Sequence, residues 1–423
     1  MPVPQAFRRR RASQPAENQE PETPVGKKRP RKKQPREKLP RDVYVLGIIA
    51  FFVMVGFGVV VPVLPVYVRS FGVGYLEVGA VVSAFAVMRL VVTPFCGWLI
   101  DRAGERTILA IGIGIVALSS ALVGLAQSFP EVLILRGAGG IGSALFSVSA
   151  TTLLLGSVPA TQRGRSMGIY QGGFLIGGMA GPAVGGVLAL ISLRAPFFFY
   201  AATLVVAGVI GLVLLQPAAA RSPAGVQPPI PLGMVLRDRR FRAACIANFA
   251  QGWGSIGVRS TLIPVLIVEL LHGTAAWTGI AFAIAAVAQT LALGPAGRFV
   301  DTVGRRPAII GANAVGAATL IAIPFVQALW ALVVLLCLYG VAAAFMGTAP
   351  AAAVGDAAEG RSGKPVAIFS AFSDAGAIVG PLAAGALLDA FSYPAAFASA
   401  AALMLVAALY ALRMPRMMPA GTA

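Results

Sequence analysis

Four ionisable side chains interrupt stretches of sequence that are otherwise apolar: Arg89, Arg136, Arg259 and Asp374. Such groups are costly inside a hydrophobic segment and usually face a cavity or a partner. A carboxylate in that setting can take up and release a proton. A guanidinium stays charged and serves as a fixed counter-charge or an anion contact. Asp374 lies 10 residues from Lys364, about 15 Å along a helix axis. Arg89 lies 12 residues from Asp101, about 18 Å by the same measure. Gln171, Asn248, Gln251, Trp253, Gln289 and Phe372 stand in similar apolar surroundings. Their amide and aromatic groups suit an amphipathic organic molecule. Arg259 adds a cation offset towards one end of its segment and, with Arg89, favours an anionic or zwitterionic group. Glu77 and Glu269, near segment ends, read as solvated.

The elements that must position these residues follow from composition. Hydrophobic residues make up 57% of the 423 and charged residues 12%, against roughly 45–50% and 25% in soluble domains. Mean hydropathy is +0.82. From residue 43, apolar runs alternate with short polar breaks, giving twelve predicted spans: 43–67, 75–99, 107–127, 131–156, 165–191, 196–215, 241–268, 275–299, 307–326, 328–353, 365–388 and 393–412. About 20 residues cross a ~30 Å hydrocarbon core as a helix, and in lipid each helix satisfies its own backbone. Alternating segments of ~10 residues, the mark of a membrane barrel, are absent. The expected fold is an all-α membrane protein.

Charge sets the expected orientation. Of 34 Lys and Arg, 29 fall on the tails, the central linker and the connections on one side, so the positive-inside rule puts both termini in the cytoplasm of a plasma-membrane protein. Residues 1–42 are Pro-rich and basic, with clusters at Arg8–Arg11 and Lys27–Lys33. This composition reads as a disordered cytoplasmic tail that meets anionic lipid headgroups rather than nucleic acid. Residues 216–240 read as a linker between bundles 43–215 and 241–412, and 413–423 as a C-terminal tail.

Several chemistries are excluded. The single His272 and the isolated Cys96, Cys245 and Cys337 form no metal-binding pattern. Gly137-Ala-Gly139-Gly140-Ile-Gly142 fits a dinucleotide-binding pattern formally, but no strand precedes it, and no ATP-binding P-loop occurs. Neither enzyme chemistry nor a cofactor is expected.

The two bundles repeat one another. Gly97, Asp101, Gly104 and Arg106 recur as Gly297, Asp301, Gly304 and Arg306, a shift of 200. Gly177, Gly181, Pro182 and Gly186 recur as Gly376, Gly380, Pro381 and Gly385, and Pro65-Val66 as Pro264-Val265, both at 199. One offset at three distant places indicates a parallel duplication with a site near the midplane.

The segment Gly97-Trp-Leu-Ile-Asp101-Arg102-Ala-Gly104-Glu-Arg106, with its repeat through Asp301, Gly304 and Arg305, resembles the signature loop of the major facilitator superfamily. The resemblance covers residues 43–412 and implies two six-helix bundles that rock about a central site. It also implies that Asp101 and Asp301 help to lock and release a cytoplasmic gate. Gly177, Gly181, Pro182, Gly185 and Gly186 are similar to the family's antiporter motif. Gly56-Phe-Gly58 through Pro62 and Pro65 resembles a motif of twelve-span drug/proton antiporters, and Arg136 with Gly140 resembles a fourth-helix motif linked to proton transfer. In the family fold, spans two and eleven face each other across the cavity, which implies an Arg89–Asp374 pair there. Burial favours the neutral acid and a nearby Arg favours the carboxylate, so alternating access would switch the proton. The first span lacks the acid that many such antiporters carry, so proton coupling is expected to rest on Asp374 with Arg136.

The reading is a monomeric exporter of a small amphipathic compound, of multidrug-resistance type, driven by inward proton flow. Two alternatives stay open. One is an uptake facilitator or lipid-intermediate flippase for an anionic substrate; the other is a non-transporting receptor or scaffold.

Overall fold

The computed structural model describes residues 39–159, 162–215, 232–357 and 363–415. The basic clusters of the N-terminal tail, most of the central linker and the last eight residues lie outside the described residues. Among the described residues there are helices and short connections and no strand.

The first half contains Arg41–Val60 with Leu64–Arg69, then Tyr75–Ala103, Glu105–Leu125, Phe129–Gly156, Arg163–Ile191 and Ala195–Leu214, here spans one to six. The second half contains spans seven to twelve. Span seven runs from Arg239 to Glu269 in three parts, and Ala275–Thr302, Arg305–Ala322, Leu329–Ala357, Gly363–Ala390 and Tyr393–Ala411 follow. Eleven helices are long and apolar enough to cross a membrane. The twelfth is span seven, whose continuous path is divided by a π-helical segment at Trp253–Arg259.

The predicted boundaries shift where backbone chemistry intervenes. Span one breaks after Val60 because Pro62 and Pro65 lack the N–H groups that would continue the ladder. The predicted linker ends in a short helix, Leu232–Arg237, and span seven starts at Arg239, where the Asp238 side chain accepts from the Arg240 N–H at 2.6 Å. Gly104 and Gly304 sit at φ +80° and +117°, a conformation that favours glycine. They allow spans two and eight to turn sharply into spans three and nine.

Each half carries its own core. Leu46, Ile49, Leu109, Phe197 and Leu204 anchor the first; Phe241, Leu262, Leu336, Tyr339 and Phe397 anchor the second. Lipid is as apolar as these side chains, so close backbone approach rather than water exclusion must hold helix to helix. The duplicated glycines provide it. A Cβ on Gly177, Gly181 or Gly185 would lie 2.6, 2.7 or 2.3 Å from span one, at Phe51 O, Gly58 Cα or Val59 O. In the repeat, Gly376 and Gly380 press in the same way on Phe249 and Trp253 of span seven. The offset of 199 in sequence is thus an offset in packing.

The halves meet along spans two with eleven and five with eight. A Cβ on Gly79 would lie 2.2 Å from Pro381 O, on Gly385 2.3 Å from Tyr75 O, and on Gly279 2.4 Å from Pro182 O. The Ser83 hydroxyl donates to Ile378 O at 2.6 Å. All these contacts lie towards the end of the bundle remote from Arg41 and Ala411, here the far end. Towards the near end, Gly97, Gly164, Gly168, Gly172, Gly294 and Gly297 have open space where a Cβ would stand. The bundle is closed at the far end and open at the near end.

Candidate transport site

At the far end, a cluster of polar contacts crosses between the halves. Arg69, closing span one, pairs with Glu269, closing span seven, at 2.9 Å. The Tyr75 hydroxyl donates to the same carboxylate, and the Arg69 guanidinium lies 4.2 Å from the Tyr75 ring centroid. Asp389, in the last turn of span eleven, accepts from the first N–H groups of span two: Tyr75 at 3.0 Å and Leu76 at 2.7 Å. Those N–H groups have no intrahelical partner, so a carboxylate from the other half satisfies them and meets the positive end of the helix dipole. The expectation that Glu269 is merely solvated is corrected here. Its partner became visible only when the ends of spans one and seven were brought together. A signal existed in sequence, because Arg69 and Glu269 stand at the same offset of 200 as the repeat.

Beneath this closure lies a cavity of about 530 Å³ between the halves, within the ~300–1,000 Å³ range of small-molecule sites. Phe57, Gln171, Phe174 and Met179 contribute from one half, and Arg259, Phe282 and Gln289 from the other. Three expected cavity residues, Gln171, Arg259 and Gln289, therefore line it together. Phe57, Phe174 and Phe282 were not singled out in sequence, because an aromatic residue in an apolar helix carries no mark of which face it occupies.

Other expectations are corrected. The Asn248 amide is buried and donates to Phe369 O at 2.7 Å, fastening span seven to span eleven. The Trp253 indole N–H donates to the Ser399 hydroxyl of span twelve at 3.2 Å, so this ring is held inside its own half. Gln251 is half-buried and Phe372 exposed, and neither lines the cavity.

Arg89 and Asp374 do lie on the facing spans two and eleven, but they form no ion pair in this conformation. The spans cross at Ser83 and Ile378 and diverge beyond that point. Arg89 lies six residues further, about 9 Å, and Asp374 four residues further, about 6 Å. The splay of the near end keeps their heads apart. Arg89 is still the charge that acts on Asp374, and it also acts on Tyr170 of span five. Asp374 is the one carboxylate among the described residues more than two turns from a helix end.

Arg136 is 7% exposed, with its guanidinium 4.7 Å from the Phe85 ring centroid and Tyr200 nearby. No carboxylate pairs with it among the described residues, and its Nε has no hydrogen-bond partner. It is packed inside the first half and is absent from the cavity wall.

The gating-loop residues sit at the open near end. Asp101 and Asp301 are exposed, and Arg102 lies 5.8 Å from the Trp98 ring centroid. Arg106 donates to Leu212 O, and Arg305 pairs with Asp356 of span ten at 2.9 Å. Each of these contacts stays within one half.

Two pseudo-repeated six-helix bundles, shut at one end over an amphipathic cavity and parted at the other, make up the architecture of a membrane-transporter fold. The chain matches the Major Facilitator Superfamily over residues 46–274 and 244–421, and it belongs to that family. It is therefore a multi-span membrane protein of a transporter superfamily. Among its relatives is the quinolone resistance protein NorA of Staphylococcus aureus, 29% identical over 186 residues, covering 44% of this chain and 48% of NorA. The chain thus spans about half the length of that relative in the match. The multidrug resistance protein MdtG of Citrobacter koseri is 29% identical over 370 residues, covering 84% of this chain and 90% of MdtG. Among solved structures, a bacterial homologue of the human lysosomal transporter Spinster superposes with a TM-score of 0.74 at 17% identity, covering 89% of this chain and 98% of that one. NorA and MdtG are both resistance proteins by name.

Proposed function

We propose that this protein is a proton-coupled exporter of amphipathic organic compounds in the plasma membrane, with both termini in the cytoplasm. The observation that carries the reading is the cavity of about 530 Å³ beneath a closed far end, approached from a parted near end. With the basic near end inside the cell, this conformation is the one that loads a compound from the cytoplasm. NorA and MdtG are resistance proteins by name, which supports efflux.

Asp374 is the proposed proton carrier. It stands just on the open side of the crossing between spans two and eleven, so rocking of the halves would move it from one aqueous side to the other. Arg89 on the facing span favours the carboxylate when near, and desolvation favours the acid. Proton release to the cytoplasm leaves the carboxylate to Arg89. Proton uptake from outside neutralises it and frees the halves to return. Arg136 contributes a fixed positive charge to the first half. The basic N-terminal tail meets anionic lipid, and the protein works as a monomer.

The test is transport in proteoliposomes under a pH gradient, with a quinolone, a lipophilic cation and a neutral dye, comparing the parent with Asp374→Asn. The expected result is loss of gradient-driven movement while substrate exchange without a gradient continues. Normal gradient-driven transport by Asp374→Asn would make Asp374 structural and remove the coupling mechanism.

A further inference from the structure

Arg259 is on the cavity wall, in the company of rings and amides. Its guanidinium carbon lies 4.9 Å from the Phe282 ring centroid and 5.7 Å from that of Tyr339. Among the described residues no carboxylate pairs with it, and its Nε is buried without a hydrogen-bond partner. No Asp or Glu lines the cavity. Arginine does not shed its proton in proteins, so it cannot escape the cost of burial by becoming neutral. The stacked rings offset part of that cost through their negative faces, but they leave the Nε–H without an acceptor.

Local backbone geometry aims the side chain there. Arg259 ends the π-helical segment Trp253–Arg259, and such insertions recur at functional sites. The Ser260 and Thr261 hydroxyls donate five residues back, to Ser255 O and Ile256 O, both at 2.8 Å. Gly257 presses on Gly380 of span eleven, where a Cβ would lie 2.6 Å from its carbonyl carbon. The wider turn therefore sits against a fixed neighbour, and the residue that follows from it faces the cavity. Arg136 is also unpaired, yet it is sealed inside the first half. The position of Arg259 on the cavity wall is what separates the two.

We propose that Arg259 seats an acidic group of the transported compound, so that the substrate class is amphipathic molecules carrying a carboxylate or comparable anion, zwitterions included. The proposal rests on the transporter reading above and specifies its ligand. The anion takes the unpartnered Nε–H of Arg259, the Gln171 and Gln289 amides accept or donate beside it, and Phe57, Phe174 and Phe282 cover the apolar body.

The experiment is equilibrium binding to the full-length purified protein, without a gradient, of three probes of one size: 2-naphthoate, 2-naphthamide and 2-naphthylmethylammonium. A charge-assisted contact predicts that naphthoate binds about tenfold or more tightly than the amide, and the ammonium most weakly. Arg259→Gln should bring naphthoate and naphthamide to within about twofold while amide binding is kept. Arg259→Lys, which keeps the charge without the planar fork, should retain the order with a smaller ratio. Equal binding of the three probes by the parent, preference for the ammonium, or an undiminished preference in Arg259→Gln would each overturn the proposal. Should Arg259→Gln not be recovered folded, the parent's order and the Lys variant decide. A protein that binds naphthoate but moves nothing under a gradient defeats the exporter reading alone. One that exports other compounds without preferring the anion defeats this inference alone.

Discussion

Adding one methyl group at Gly279 should tip the protein towards the conformation not seen here. In the far-end closure, a Cβ at this position would stand 2.4 Å from Pro182 O and 2.6 Å from both Gly186 Cα and Gly186 N. Ordinary contact begins near 3.4 Å, so spans five and eight must separate by about 1 Å. Every atom met is backbone, and no side-chain rotation relieves the clash. Overpacking of this kind costs about 1–3 kcal/mol. The cost applies only while the far end is closed, because rocking the halves apart removes Pro182 and Gly186 from reach. The helix-propensity gain of Ala over Gly is common to both states and cancels. Gly279→Ala should therefore favour the far-end-open state by about 5- to 150-fold. Spin labels on Gln127 and Gln327, in the far-end loops of the two halves, report the shift as a longer distance. Gly311→Ala, with nothing within 4 Å of the added methyl, should leave the distribution unchanged. A folded Gly279→Ala protein with the parent's distances would refute the claim that this contact belongs to one conformation.

Two further outcomes follow from the far-end contacts and the helix packing. Asp389→Ala removes the acceptor for the first N–H groups of span two and should move the same label pair in the same direction. Its effect should be smaller than that of Gly279→Ala, because the carboxylate is exposed and water can replace it. Asn248→Ala removes the amide that donates to Phe369 O across spans seven and eleven and should lower stability by about 0.5–1.5 kcal/mol, since that carbonyl keeps its own intrahelical donor, read as a fall in the thermal unfolding midpoint. The charge preference among naphthalene probes should persist in it, since Asn248 does not line the cavity.

The two six-helix halves were legible because their signal is local and repeated. Twenty-residue apolar runs, the basic side of the loops and an offset of 199–200 survive without any knowledge of packing. The glycines duplicated in spans five and eleven also announced close helix contact, and Gly177, Gly181, Gly186, Gly376, Gly380 and Gly385 each found a backbone at the Cβ position. What failed was assignment to a face. Asn248, Trp253, Gln171 and Gln289 are chemically alike as polar interruptions of apolar helices, yet two bind neighbouring helices and two line the cavity. A helix that is apolar all round gives no periodicity by which to tell these faces apart.

Sequence by itself determined that the chain is a membrane-spanning helical duplication with the family's loop and glycine motifs, since hydropathy, charge and repetition are properties of the chain. Only the tertiary structure decided which end is shut, that Arg69, Glu269, Tyr75 and Asp389 share that closure, and that Arg89 and Asp374 stand apart in this state. It also decided that Arg259 leaves a π turn to face the cavity while Arg136 is sealed within one half. These facts depend on how two rigid bundles lean together and on one extra residue in a helical turn. Neither changes the hydrophobic pattern from which the spans were read.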